Sequence, residues 1–237
     1  MYNEISTAEN TARELTRAAE AICEERDGTE YELIFSDDGS LDGCAEAVPD
    51  VIDGARHGTI KKVGSSRNMG KGAAIRRAVA ASTGDIVLYT DCDLAYGTDV
   101  IGEALDAMTK SGVDVLVGSR AIHPRGYEGY SFLRRLASKV YLKILTVFAG
   151  FRLSDSQCGF KLFRGEAARR IFSLCETNGW AFDFEALMIA KKMGLAFGEH
   201  PVMIVNHRES RIRVFSDSFK MLREIFRIKK RVRGLKI

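Results

Sequence analysis

Four short runs of β-branched and aromatic residues, YELIFS (31–36), TIKKVGS (59–65), DIVLYTD (85–91) and DVLVGSR (114–120), are interleaved with helix-like stretches over Thr7 to Arg26, Lys71 to Ser82 and Thr98 to Ser111. Strands that alternate with helices are joined by crossovers, which predicts an α/β fold with a mostly parallel sheet and helices on both faces. Ligands of such sheets bind beyond the carboxyl ends of the strands. Three of the runs carry polar chemistry there: Asp37 and Asp38 in SDDGS, Asp91 and Asp93 in TDCD, and Arg120 in GSR.

With 237 residues and 46% hydrophobic content, the chain can bury a full core. A net charge of +3 does not mark a nucleic-acid binder. The five cysteines form no CxxC pair, so neither a zinc knuckle nor a disulfide framework is indicated, and a reducing cytoplasm is expected. No leader-like stretch opens the sequence, and the apolar run beginning at Val140 is broken by Lys143, short of the ~20 residues a span needs.

Beyond residue 125 the pattern changes to a long helix candidate over 130–151, then SDSQCGFKLF, helical stretches around Ala167 and Phe184, and a strand-like PVMIVNH at 201–207. From Arg208 to Ile237 eleven Arg and Lys face three acids, with Phe215, Phe219, Leu222 and Phe226 at helical spacing. The expected organisation is one domain over 1–207 and a basic amphipathic segment over 208–237. A basic amphipathic helix fits an anionic membrane surface, and its alternative is ordinary packing on the domain.

Two acids separated by one residue share one face of an extended strand, and a turn at the strand end lets one face the crevice while the other reaches a ligand beside it. Such a pair suits Mg²⁺ or Mn²⁺ shared with a diphosphate; as an isolated feature it is equally a capped surface turn. Its company is NMGKGAAIRRA, where Gly70 and Gly72 bracket Lys71 before a helix, so that amides and an ammonium can approach an anion together. Walker A spacing is absent.

The set YNE (2–4), SDDGSLDG, NMGKGAAIRRA, GDIVLYTDCDLA, GSR, RRLAS, SDSQCGFKLF and WAFDFEAL resembles the family 2 glycosyltransferases of GT-A fold, and more narrowly the polyprenyl-phosphate (dolichyl-phosphate) glycosyltransferases of the glucosyl branch. The resemblance implies that Tyr2, Glu4, Asp37, Asp38, Asn68, Lys71, Asp91 and Gln157 serve the nucleotide sugar, and that Asp91 and Asp93 hold the metal, Asp93 most directly. It assigns the acceptor phosphate to Arg120, Arg134, Ser138 and Arg208 or Arg211, the last two around ESR where the family usually has Gly-Ser-Lys. Asp183 and Glu185 are a candidate base or sugar-positioning pair, and Asp183 is equally a helix brace.

The implied reaction is inverting transfer of a sugar, glucose by the resemblance, from a UDP-sugar to a polyprenyl phosphate. It would run at the inner face of the membrane on a peripheral cytoplasmic protein, with homo-oligomers possible. The acceptor is already an anion, so little general-base help is needed. The alternatives are a GDP-mannose-dependent transferase and a non-catalytic sugar-nucleotide-binding membrane module. In the family an apolar strand precedes YNE, whereas here Met1 precedes Tyr2 directly. A sheet without that interior strand is expected to expose two hydrogen-bonding edges or to close around the gap.

Overall fold

The period-2 apolar pattern decides how the sheet is buried. The computed structural model describes residues 1–128, 150, 153–206 and 214–237, the last stretch with side chains from 223. In chain order these residues form α1 (Ile5–Glu24), β1 (Tyr31–Asp37), α2 (Cys44–Ala47), β2 (Gly58–Gly64), α3 (Lys71–Ala81), β3 (Ile86–Tyr89), α4 (Asp99–Ser111), β4 (Val115–Ser119), β5 (Lys161–Arg164), α5 (Gly165–Leu174), α6 (Phe182–Lys192), β6 (Phe197–Pro201) and α7 (Val214–Gly234). Along β4, Val115 and Val117 enter one apolar cluster with α5 and α6, while Leu116 enters another with Ala104 and Met108 of α4. Successive strand residues therefore feed opposite faces, and helices cover both.

The expected parallel pairings are present: β1 with β2, Asp37 opposite Gly64, and β4 with β6, Val115 opposite Phe197. Two features differ from the sequence reading. The run KLFR, not anticipated as a strand, forms β5 and lies antiparallel between β3 and β4. The strand expected at 201–207 ends at Pro201 instead. There β4 runs out: Val202 N–H donates to Ser119 O at 3.1 Å, and the chain turns so that Val205 N–H reaches Ala95 O at 2.8 Å.

The strands fall into two sheets, β1-β2 and β3-β5-β4-β6. Between the edges of β1 and β3 lies a groove, part of a cavity of about 1350 Å³ lined by residues of both strands and of α1 and α3. Among the described residues β1 and β3 do not pair with each other. Met1 already occupies the groove's end in strand-like fashion. Its amino group donates to Ser36 O at 2.6 Å, and Asp38 N–H donates to Met1 O at 2.9 Å. That is the bonding of a parallel bridge opposite Asp37.

Across the groove, Glu32 of β1 takes Lys61 Nζ at 2.5 Å, Thr83 N–H at 2.5 Å and Gly84 N–H at 3.0 Å, joining β1 to β2 and to the loop that enters β3. Burial alone would raise its pKa, but these donors outweigh burial and lower it to about 2. The expected linkage follows from a depressed folded pKa. Stability from Glu32 is complete above its ordinary 4.5 and is lost as pH falls towards about 2. Urea titrations of Glu32→Gln should be flatter than those of the wild type across that window, and equal slopes would refute the assignment.

A second expectation concerns the groove. Six to seven apolar β-prone residues fused ahead of Met1 should pair with both edges and raise the melting temperature and nucleotide affinity together. Scanning calorimetry and nucleotide titration check this, and no change in either would count against it.

Candidate active site

After Tyr89 the chain turns at once. Leu94 N–H donates to Asp91 O at 3.0 Å and Gly97 N–H to Leu94 O at 2.8 Å, with buried Leu94 itself at a φ of 46°. A leucine in the left-handed region costs roughly 1–2 kcal/mol and persists only where its surroundings over-determine it. They do so here. Thr11 of α1 donates its hydroxyl to Cys92 O at 2.6 Å, and Asn206 donates its amide to Leu94 O at 2.9 Å.

The turn brings Asp91 and Asp93 to the wall of the cavity, beside Tyr2, Glu4, Asn68 and Lys71. Asp93 Oδ1 accepts Ala95 N–H at 3.2 Å. Asp91 Oδ1 accepts Lys71 Nζ at 2.5 Å. Gly159 leaves the Asp91 carboxylate the room it occupies, since a Cβ there would push Asp91 Oδ2 aside. Among the described residues no group of three or more His, Cys, Asp or Glu could hold a metal alone. Two carboxylates do fit Mg²⁺ or Mn²⁺ when substrate phosphates complete the shell.

Burial opposes the charge of Lys71, but Asp91, Asp183 and Asp93 outweigh it and hold its pKa above the ordinary lysine value. The ammonium also lies 5.4 Å from the ring centre of Trp180 and 5.9 Å from that of Phe182. The glycine loop around it is not the open amide cradle that the sequence suggested. Asp38 accepts Met69 N–H at 3.1 Å and Gly70 N–H at 2.6 Å, and Asn178 O accepts Gly72 N–H at 2.8 Å. Gly70 has a φ of 102°, and a Cβ there would collide with Asn178 O. The loop is spent on holding Lys71 in place, so the ammonium is what it offers.

The same contacts revise several expectations. Asp38 is 4% exposed and its oxygens shape the glycine loop, although it borders the cavity. Asp37 lies outside the cavity lining and accepts Ser40 N–H and hydroxyl, at 3.2 and 2.5 Å, to close the turn after β1. Gln157 also lies outside the lining, with a buried Nε2 that has no hydrogen-bond partner among the described residues. Arg120 lines the cavity, paired in bidentate fashion with fully buried Asp155 at 2.6 and 2.8 Å. Burial works against the guanidinium charge, and Asp155 more than restores it, keeping the pKa above its ordinary range. Arg134, Ser138, Arg208 and Arg211 lie outside the described residues, as does the helix candidate over 130–151 except for Gly150.

Asp183 does not face the cavity as a base would. It is 5% exposed, and its Oδ1 accepts Lys161 Nζ at 2.7 Å and the Tyr89 hydroxyl. Lys161 is fully buried and also donates to Cys158 O at 2.5 Å. Burial, with Asp183 adding to it, pushes the Tyr89 phenol well above its usual pKa, so it stays a donor. Glu185, fully buried too, accepts Glu176 N–H at 2.9 Å, Thr177 N–H at 2.7 Å and the guanidinium of Arg231 in α7. The two acids of WAFDFE are braces. Sequence reasoning missed Lys161, Asp155 and Trp180. The available signals were a lysine inside the apolar run CGFKLF, an acid three residues before CGF, and the chain's only tryptophan.

A turn of two acids facing a lysine thus lies at the end of an α/β sheet. The family model described as Glycosyl transferase family 2 matches residues 1–172. The chain belongs to that family. Similar proteins include a dolichyl-phosphate beta-glucosyltransferase of Dictyostelium discoideum, 32% identical over 84% of this chain and 62% of the relative. Glycosyltransferase AglD of Haloferax volcanii is 29% identical over 95% of this chain and 35% of the relative. The dolichyl-phosphate beta-glucosyltransferase of Saccharomyces cerevisiae is 28% identical over 94% and 70%. The chain thus spans 62% and 35% of the first two relatives' lengths.

Among solved structures, glucosyl-3-phosphoglycerate synthase of Mycobacterium tuberculosis superposes with a TM-score of 0.65 at 21% identity, over 100% of this chain and 79% of that one. Mannosyl-3-phosphoglycerate synthase of Rubrobacter xylanophilus gives 0.66 at 20% identity, over 100% and 74%. These likenesses establish the shared GT-A fold. In one such structure the mycobacterial synthase is in complex with Mn²⁺, UDP-glucose and glycerol 3-phosphate.

Replacing Lys161 by Met should leave Asp183 buried and uncompensated, at a cost of about 3–5 kcal/mol in urea unfolding. The double variant Lys161→Met with Asp183→Leu should recover part of that loss. If the single change cost no more than a surface substitution, the buried pair would not be the support described.

Proposed function

We propose that this glycosyltransferase moves glucose from UDP-glucose to a polyprenyl phosphate with inversion at the anomeric carbon. The observation that carries the reading is the acid pair Asp91 and Asp93 facing Lys71 in one cavity with Tyr2, Glu4 and Asn68. The names of the relatives from Dictyostelium and yeast, matched over 84% and 94% of this chain, support the sugar and the acceptor class. Asp91 and Asp93 would hold Mg²⁺ or Mn²⁺, which would supply positive charge to the departing diphosphate.

The remaining chemistry belongs to the chain. Lys71, held charged by its acids, offers a second cation to the diphosphate. An acceptor phosphate oxygen attacks the anomeric carbon as the bond to the diphosphate oxygen breaks, and because the nucleophile is anionic no side chain need take its proton. Buried Asp183 fits this economy, since no base is required of it. Arg120 at the cavity wall, with Arg134, Ser138 and Arg208 or Arg211, is the proposed acceptor-phosphate set.

The lipid acceptor requires a membrane surface, yet no helix among the described residues is long and apolar enough to cross one. The candidate is α7. Ile225, Ile228 and Val232 join the main core, and Arg223, Arg227, Lys230 and Arg233 are exposed on the opposite side beside Phe226, 55% exposed. Each cation near an anionic leaflet contributes roughly 1 kcal/mol. The segment proposed as a membrane-associating extension therefore also shares the domain's core, and its outward face is the part available to lipid.

Transfer of radiolabelled glucose from UDP-glucose to a short polyprenyl phosphate with Mg²⁺ tests the reaction. Activity should fall about 100-fold or more in Asp93→Ala, and turnover with GDP-mannose alone would favour a mannosyltransferase. A retained anomer in the product would refute the inverting step. Arg227→Glu with Lys230→Glu should abolish sedimentation with anionic vesicles at low salt while leaving the melting temperature unchanged.

A further inference from the structure

Trp180, the chain's only tryptophan, is 49% exposed, although the two residues that follow it, Ala181 and Phe182, are 0% and 1% exposed. The chain enters the core immediately after the indole, which stays outside and lines the cavity. Its backbone is fixed. Arg76 of α3 donates to Thr177 O at 2.7 Å and to Asn178 Oδ1 at 2.5 Å, Gly72 N–H donates to Asn178 O at 2.8 Å, and Phe182 N–H donates to Gly179 O at 3.3 Å. The loop bearing the indole is thus clamped to the loop bearing Lys71.

That clamp sets a short spacing. Lys71 Nζ lies 2.5 Å from Asp91 Oδ1 and 5.4 Å from the indole centre, so one ammonium separates the aromatic surface from the acid that would hold the diphosphate's metal. A large, rigid, half-exposed aromatic at a cavity wall offers a flat surface against which the apolar face of a ligand can pack. A hexopyranose has such a face, formed by its axial C–H groups, with hydroxyls around the edge. In a nucleotide sugar the pyranose is bonded directly to the diphosphate, so a diphosphate at the acids carries its sugar to within a ring's length of Trp180.

We infer that Trp180 is the platform on which the transferred sugar ring of the donor stacks, and that it distinguishes the nucleotide sugar from the nucleoside diphosphate. This rests on the function proposed above. Trp180 contributes to binding and orientation of the sugar, while the diphosphate is held by Lys71 and by the metal that the acid pair would bind. A chain whose platform is lost should bind UDP as before and lose its preference for UDP-glucose.

The single tryptophan makes the test direct. The full chain is titrated with UDP and with UDP-glucose in the presence of Mg²⁺, following tryptophan emission and, in parallel, calorimetric heat. UDP-glucose should change the emission well beyond UDP. In Trp180→Ala the affinity for UDP should stay within about twofold while that for UDP-glucose falls about five- to tenfold, and Trp180→Phe should restore most of it. Equal emission changes with both ligands, when calorimetry shows both bound, would overturn the platform and leave the proposed function standing. Binding of neither would overturn both. An emission shift produced by anionic vesicles alone, with none from UDP-glucose, would reassign the indole to the membrane surface and overturn the proposal.

Discussion

The carboxylate of Asp183 is the junction on which the site is built. It gathers Tyr89 from the end of β3, Lys161 from the start of β5 and the first turn of α6 into one buried cluster. Moving a carboxylate and an ammonium out of water costs several kcal/mol per ion, a cost offset only when geometry and added hydrogen bonds are good. Lys161 meets that condition through Asp183 and Cys158 O, and Asp183 through Lys161 and Tyr89. Asp91 lies two residues beyond Tyr89, so the position of the acid pair is inherited from this cluster.

A second layer of charge holds the walls. Asp38 draws in the glycine loop, Asp155 holds Arg120, and Glu185 ties the 176–177 backbone to Arg231 of α7. In each case an acid of low exposure is matched to a cation or to backbone donors, as the cost of burying an unpaired charge requires. Asp91, at the cavity wall, keeps 39% of its side chain accessible. The bracing acids are buried and the acid at the cavity wall is not, and this distinction separates Asp183 from Asp91 within one chain.

Much of this was legible in the sequence. The strands β1 to β4 and the helices α3 and α4 fall within a residue or two of where alternating and helical apolar patterns place them, because those patterns report burial directly. DCD at a strand end with Lys71 in a glycine loop was legible for the same reason, since local turn chemistry brings those residues to the crevice. β5 was not legible. Its four residues sit between SDSQCGF and a helix, and its strand character comes from pairing with β3 and β4, both more than forty residues earlier in the chain. Asp38 and Asp37 read as ligand-binding, and Asp183 equally as a base or a brace, because an acid in a motif looks alike whether it meets substrate or backbone; only burial and partners tell the two apart.

The sequence by itself determined an α/β sheet with ligand chemistry at its strand ends, the acid pair, the lysine opposite it and the basic face of α7. These follow from periodicity and charge pattern, which are local properties of the chain. The tertiary structure decided that β1 and β3 stand apart with a groove between them, that the glycine-loop amides are consumed by Asp38 and Asn178, and that Lys161 goes inside to meet Asp183. It also brought Trp180 against Lys71, more than a hundred residues away in the chain. Such outcomes depend on which distant groups must pair once water is excluded, and a one-dimensional pattern does not contain that information.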